Sequence, residues 1–552
     1  MDLAALAAVP RLATVRRASL VLLLAAMAAC RGEAPSGAGA TGGTLIVATP
    51  GDADNLLPPV MTTQLGAHVA KQIFPDLAEI TSELNTTGDS GFVPSVARRW
   101  ERRDSLTLVF HLDRRARWRD GPPITAADVA FTFAVYTDTL TASPFRVLLA
   151  SIRSVEAQDE STAVFRFRRS YGEQLYDAVY QMRLLPKHLL DSIPRERLAS
   201  SAFAREPVGA GPYHFVSWQP GSEVTVEADS TWFLGRPGLR RIVWRVMPDV
   251  SSAVEALLAG EADAMETIPL KDDVERVRRD TALRLVPYPS PFVGGVLFNL
   301  RRPLFADRAV RRAIAMAVDR ATVVAALFGA DGDVPMGDVS PMMWIAAQHD
   351  IRQLPYDTAL AARTLDSLGW RRAPGRPFRS RAGVSLSFTA LVPTTSRIRQ
   401  QAAVLVQSQL QRVGVEMRIQ PLEFAVFQSR MNAGQFDATF FSRTEDPSPS
   451  GLAQFWGSAA VGGDNAGAYR SPAFDSLFAL AAAARTRAEA RPRWRAALEQ
   501  LNDDAPAIFL YSPRNNAAVH RRFAGVTIRP DSWLADVDRW SVPPDRRLPR
   551  DR

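Results

Sequence analysis

The sequence predicts a mixed α/β protein built from more than one lobe, and three observations carry that expectation. The chain has 552 residues, well past the roughly 250–300 at which single hydrophobic cores stop growing, so two or three lobes are expected. Strand-like runs with a period of two alternate with segments of helical period, a pattern that builds sheets with helices packed on them. Hydrophobic residues make up 47% and charged residues 22%, the composition of a soluble globular chain rather than a disordered one. No fixed-period repeat is present.

The elements follow in chain order. Thr44–Thr49 is rich in strand formers and stops at Pro50–Gly51. Leu106–Leu112 alternates as a half-buried strand does. Asp120–Gly121–Pro122–Pro123 then turns the chain, and Thr125 with Asp128 caps a helix, the hydroxyl serving the early amides and the carboxylate the positive helix end. Ala163–Phe167 reads as a strand, followed by mostly helical sequence to about residue 205. Strands return around Tyr213–Phe215, Val224–Glu227 and Ile242–Val246, and a helix from Ser251 to Leu258 closes at Gly260. After a strand near Val296–Asn299, amphipathic helices are expected over Asp307–Val318 and Thr358–Leu368. Leu386–Leu391 is a strand, Arg397–Val413 a long helix stopped by Gly414, and Val415–Ile419 a further strand.

The first residues are read apart from the fold. Arg11, Arg16 and Arg17 precede the apolar run Leu20–Ala29. Ten helical residues rise only ~15 Å, about half the hydrocarbon thickness of a bilayer, so the run fits the core of a signal peptide rather than a membrane span. It ends Met27–Ala28–Ala29–Cys30. This resembles a lipobox, in which small residues precede a cysteine whose thiol takes a diacylglycerol group before cleavage. Residues 1–30 are therefore expected to be a lipoprotein signal peptide, with lipid attachment at Cys30. Residues 31–43, rich in Gly, Ala, Ser and Pro, are expected to be a flexible linker. Gly37–Gly42 matches G-x-G-x-x-G, but no strand precedes it and no helix follows, so it reads as linker. The localisation expected is the periplasm or cell surface, lipid-anchored to a membrane, with no membrane contact beyond that lipid.

Charge and motifs exclude other classes. The formal charge is +8, but the only lysines are Lys71, Lys187 and Lys271, and arginines are interleaved with acids, as in Arg98–Asp104. That is a solvated surface, and no nucleic-acid motif accompanies it. Cys30 is the sole cysteine, so no internal disulfide forms. The six histidines, His68, His111, His188, His214, His349 and His520, are scattered, without metal-site spacing. There is no G-x-S-x-G elbow and no Walker-type G-x-x-x-x-G-K-[ST]. No catalytic residue, cofactor or metal is expected.

Several segments, in order, resemble the extracytoplasmic solute-binding proteins of family 5, the oligopeptide- and dipeptide-binding lipoproteins of ABC importers. They are Pro94–Glu101, Trp118–Arg119–Asp120–Gly121 and Ile124–Val129, then Pro207–Tyr213 and Trp218–Gly221, then Trp232–Gly235 and Ala259–Asp263. Phe298–Asn299, Val310–Ile314, Val318–Arg320 and Tyr356–Asp357 continue the series. Trp118 stands where the family has another aromatic, and Asp113 where Arg is common. The likeness runs over roughly residues 44 to 540.

The resemblance implies a two-lobed periplasmic-binding-protein-like clamshell. Lobe one would be about 44–290 with 508–545, including an extra subdomain at about 76–206, and lobe two 291–507. Pro287, Pro289, Pro291 and Pro506 fit stiff hinge crossings. The implied function is to capture peptides or peptide-like solutes by hinge closure and deliver them to the permease and ATPase subunits of an importer, as a monomer. A non-peptide solute (a nickel complex, a sugar or another small anion), a sensor role and, last, a hydrolase are the alternatives. In the family's peptide binders a lobe-two segment carries an aromatic, an acid that pairs with the peptide amine, and then Asp-Pro. The matching stretch is Phe436–Pro447, shorter and without the usual Trp, with Arg443 near the acid's place. A guanidinium there would attract a carboxylate or phosphate. Alternatively Glu445 or Asp446 pairs with the amine, or Arg443 pairs with one of them locally. The ligand-binding candidates are thus Arg443, Phe440, Phe441, Glu445, Asp446 and Asn299.

Overall fold

The computed structural model describes residues 42–551. The expected signal peptide, Cys30 and the linker up to residue 41 lie outside the described residues.

One strand organises the rest. Ala507–His520, of 14 residues, is the longest in the described chain. Its first half pairs antiparallel with Phe292–Phe298, from Ala507 opposite Leu297 to Tyr511 opposite Gly294. Its second half pairs with Leu283–Pro289, from Arg514 opposite Pro289 to His520 opposite Leu283. The partner strand thus breaks at Ser290–Pro291, where proline cannot donate to a ladder, while the spine runs on through Pro513.

The spine joins two lobes. On one side of it the sheet continues through Phe292–Phe298, Ala438–Thr444, Ser387–Pro393 and Glu416–Leu422. On the other it continues through Ala264–Met265, Thr44–Thr49, Arg241–Val246, Glu223–Ala228 and Tyr213–Gln219. A separate four-stranded antiparallel sheet, in the order Ala97–Asp104, Thr107–Leu112, Thr162–Phe167 and Ile152–Asp159, builds out from the first lobe. The helix Ala126–Thr137 packs on it. It starts as the sequence predicts, with the Thr125 amide donating to the Asp128 carboxylate at 2.8 Å.

Each lobe has its own apolar core. Lobe one buries Val47, Trp118, Trp244, Trp533 and Trp540 together. In lobe two, strand alternation sends Val296, Phe298 and Phe440 to one sheet face, against Phe388 and Val406, and Val293 and Phe509 to the other, against Trp344 and Trp494. A sheet covered by helices on both faces has apolar residues on both sides of its strands, which is why Ala438–Phe441 reads as a nearly unbroken apolar run.

A buried ion network ties distant segments of lobe one together. The Arg522 guanidinium donates to both Asp263 oxygens at 3.0 Å, to Asp551 at 2.5 Å and to the Thr44 carbonyl at 2.7 Å. Asp263 also accepts from the Ile46 amide, and Asp551 from the Thr44 amide.

Candidate functional site: the cleft between the lobes

The strand Ala438–Thr444 runs toward the hinge, its last residues lying beside Phe292 and Val293. Successive side chains leave opposite faces of a strand. Phe440 therefore enters the core of lobe two, at 0% exposure, and Phe441 and Arg443 emerge on the other face. Phe440 is corrected from ligand contact to core. Asn299 is corrected too. It is buried, its amide nitrogen donates to the Gly434 and Phe436 carbonyls at 3.0 and 2.8 Å, and its oxygen accepts from the Arg301 amide. Its hydrogen bonds hold a loop together and leave nothing to offer a ligand.

Arg443 sits in a nest of aromatic rings. Its guanidinium carbon lies 4.0 Å from the Phe455 ring centre, 5.4 Å from Trp456 and 5.6 Å from Phe441, within cation–π range. It pairs with the fully buried Asp338, and Glu445 stands 3.6 Å away. Asp338 also accepts from the Trp456 indole N–H. Glu445 accepts from the Ser340 amide at 2.7 Å and donates its own amide to the Pro291 carbonyl at 2.9 Å. The Ser340 hydroxyl donates to the Ser290 carbonyl at 2.7 Å. The cluster is thereby pinned to the hinge crossing.

Electrostatics follow from burial. Desolvation pulls the Arg443 guanidinium down to about 10, against the pull of Glu445, and it stays charged at neutral pH. Desolvation pushes the Glu445 carboxyl up to about 7, against Arg443 and the Ser340 amide. Among the polar atoms of this cluster, Arg443 Nε, Asp338 Oδ1 and Glu445 Oε1 are buried without a hydrogen-bond partner.

Asp446 differs from its neighbours. It is exposed, and among the described residues it has no hydrogen-bond or ion-pair partner. Desolvation nevertheless raises its pKa, and desolvation likewise raises those of Tyr176 and Tyr180 in lobe one, with the Asp446 charge adding a lesser push. Two residues on, Ser448 bonds Glu173, just before the helix Gln174–Tyr180; this brings Asp446 to the gap beside that helix, whose Tyr176 and Tyr180 rings stack at 4.8 Å.

The lobes meet next to this gap. Glu173, just before that helix, accepts from the Thr86 hydroxyl within its own lobe and from the Ser448 hydroxyl of lobe two at 2.7 Å. The Trp344 indole of lobe two donates to Thr86 at 3.3 Å, and Arg487 pairs with Glu83 at 2.7 Å. On the lobe-two side a pocket of about 240 Å³ opens beside Arg443, between Phe455, Phe441, Met431 and Leu297.

Asp338, Phe455, Trp456, Tyr176 and Tyr180 were not foreseen from sequence. They come from separate loops and helices without a shared motif. Among the described residues no three His, Cys, Asp or Glu side chains are grouped so as to hold a metal, and no helix is long and apolar enough to cross a membrane.

Two lobes joined by a shared strand, with ionisable and aromatic groups lining the gap, define a hinged solute-binding protein. The chain belongs to the bacterial extracellular solute-binding proteins, family 5, whose profile (the family's middle region) matches residues 91–464. It is 26% identical over 534 residues to the oligopeptide-binding protein AppA of Bacillus subtilis, covering 94% of this chain and 97% of that one. The structure of that AppA in complex with a nonapeptide matches with a TM-score of 0.72 at 25% identity, covering 91% of this chain and 99% of AppA. The ABC transporter substrate-binding protein CtaP of Listeria monocytogenes matches at 0.78 with 21% identity, covering 91% and 99%. The two-lobed mixed α/β expectation thus holds, and the family is one of extracytoplasmic binding proteins.

Proposed function

We propose that this chain is the substrate-binding subunit of an ABC importer and that it captures peptides in the cleft, with the peptide's α-amine against Asp446. The observation that carries the amine assignment is Asp446 itself, a carboxylate without a partner of its own, two residues from the Ser448–Glu173 bond that joins its loop to the start of the helix carrying the stacked tyrosines of lobe one. Arg443 is already balanced by Asp338 and Glu445, so the amine reading is favoured over an anion bound at Arg443. Likeness over nearly the whole chain to an oligopeptide-binding protein supports the choice of peptide.

Capture works by differential affinity. A ligand touching both lobes binds the closed form better and shifts the population toward it. Taking a hinge from mostly open to mostly closed needs ~10⁴-fold preference, about 5.5 kcal/mol. The same reading divides the lobes at Ser290–Pro291 and within the spine near Ser512. It takes the chain to be a monomer, held to a membrane by lipid on Cys30, passing its solute to permease and ATPase subunits without chemical change.

Isothermal titration with free-amine and N-acetylated forms of one peptide tests the amine assignment. Acetylation and Asp446→Asn should each weaken binding ~30-fold or more, the cost of leaving one partner of a buried charge pair unmatched. Their combination should cost little beyond either alone. Equal affinity for acetylated and free peptide would sink the assignment. Recovery of intact peptide by chromatography checks the absence of turnover.

A further inference from the structure

We propose that the pocket beside Arg443 selects a bulky neutral side chain of the bound peptide, aromatic by preference, and that the paired guanidinium forms a flat wall of that pocket rather than an anion receptor. The proposal rests on the peptide reading above and extends it to which peptides are preferred.

Three observations lead there. The first is shape and lining. About 240 Å³ opens between Leu297, Met431, Phe441, Phe455 and Trp456, and a cavity of roughly 150 Å³ already takes a benzene ring. Thioether and ring edges are favourable neighbours for a further aromatic ring.

The second is charge. Arg443 is the cation a ligand carboxylate would seek, but Asp338 is paired with it, Glu445 lies 3.6 Å off, and Asp464 stands exposed at the rim. An incoming carboxylate would meet three acids for one cation. A ligand ammonium would lie against the guanidinium and lose its water in an aromatic pocket. A carboxylate pays desolvation with no free counter-charge, and an ammonium inside the pocket lies against the guanidinium while the one acid on the open side, Asp464, stays at the solvated rim bonded to Gln454. A neutral ring pays no such cost and can stack against the guanidinium plane.

The third is the set of unfilled polar atoms. Arg443 Nε is a buried donor and Glu445 Oε1 a buried acceptor, each without a hydrogen-bond partner. Buried polar groups left unmade are uncommon and call for a partner. A peptide group supplies the complementary set, a carbonyl for the donor and an N–H for the acceptor. Arg443 lines the pocket and Glu445 stands behind it, so the Nε donor is the member of the pair that borders the space beside the side chain received.

The test is a titration series on the wild-type protein with penta-alanine and its single replacements by Phe, Leu, Asp and Lys at each position. At one position Phe should bind at least tenfold more tightly than Ala, Leu should fall between, and Asp and Lys should bind no better than Ala. Phe455→Ala should cut the Phe-to-Ala affinity ratio at that position to below threefold, and Phe455→Leu should leave an intermediate ratio, each variant's folding being checked by circular dichroism. A series in which Asp or Lys is preferred wherever side chains are discriminated overturns the proposal, as does one with no side-chain preference at any position, while the peptide reading survives both. Failure of every peptide in the series to bind overturns the peptide reading and the pocket's assignment together.

Discussion

Two buried arginines, one in each lobe, show how differently the same group is used. Arg522 spends its guanidinium on Asp263, Asp551 and the Thr44 carbonyl, and those carboxylates accept in turn from the Ile46 and Thr44 amides. Arg443 is just as crowded, yet its Nε, together with Asp338 Oδ1 and Glu445 Oε1, lacks a hydrogen-bond partner. The first network is closed and ties segments far apart in sequence to each other. The second is balanced in charge but open in hydrogen bonding, and it borders the hinge and a pocket. Saturation, more than burial, separates a structural ion cluster from one that waits for a ligand.

The largest expected effect tests the closed network. Arg522→Met leaves Asp551 buried without its cation and Asp263 with only the partly exposed Arg550, a loss of about 3–5 kcal/mol. Urea denaturation should show that loss in the transition midpoint, while peptide affinity of the folded fraction stays within threefold. A fall in affinity as large as that in stability would mean the two clusters are not separable as argued.

That contrast was only partly legible in the sequence. Local signals were plain. The helix Thr358–Ser367 begins at its Asp357 cap, and the helix Arg397–Arg412 ends one residue before the predicted position, with Gly414 at φ +80° supplying the turn. The Thr125–Asp128 cap is likewise in place. The spine was less legible. Pro513 interrupts what would otherwise read as one long strand, and the strand's two pairings lie some 220 residues away in the chain. Phe440 and Asn299 were misplaced for a related reason. Whether an aromatic points to core or cleft depends on strand phase, and an amide next to a strand end serves whichever loop folds over it. Asp338 carried no signal at all, because only folding brings it to Arg443.

The next effect is one of pH. Burial holds the folded Glu445 carboxyl at about 7 against an ordinary value of 4.5. Below pH 4.5 both folded and unfolded chains keep this proton, so the group adds no difference. As pH rises from 4.5 to 7 the unfolded chain releases the proton while the folded chain retains it, and stability falls across that window. Above 7 both are ionised and the loss is complete, of the order of 3–4 kcal/mol at about 1.4 kcal/mol per unit. Melting temperatures measured from pH 4 to 8 should decline less in Glu445→Gln than in the wild type. Parallel curves for the two proteins would place the Glu445 carboxyl in a far wetter setting. A smaller stability loss, about 1–3 kcal/mol, is expected for Arg443→Met, which removes a cation with few hydrogen bonds to lose but strands Asp338. Here, unlike Arg522→Met, peptide affinity should drop at least tenfold, and that reversal of the two readouts is the sharpest form of the comparison.

The smallest effect concerns the seam where the lobes touch. Ser448 contributes one hydroxyl across it, to Glu173, whose carboxyl burial pushes upward and which the Thr86 hydroxyl also serves. Ser448→Ala removes one of those two hydroxyl bonds and leaves the other, a change of about 0.5–1.5 kcal/mol. The lost interlobe bond costs the closed form alone, whereas the cap that the Ser448 oxygen gives the Ser450 amide at 3.1 Å is lost in both forms. Peptide affinity should therefore weaken by roughly 2- to 10-fold, while the denaturation midpoint of the unliganded protein moves only by the loss of that cap if the open form predominates without ligand. Thr86→Ala, by contrast, removes a bond within lobe one as well as the acceptor for the Trp344 indole, and should lower stability and affinity together. If Ser448→Ala lowered stability as much as affinity, the lobes would be in contact before any solute arrives, and the seam would belong with the closed network of Arg522 rather than with the open one of Arg443.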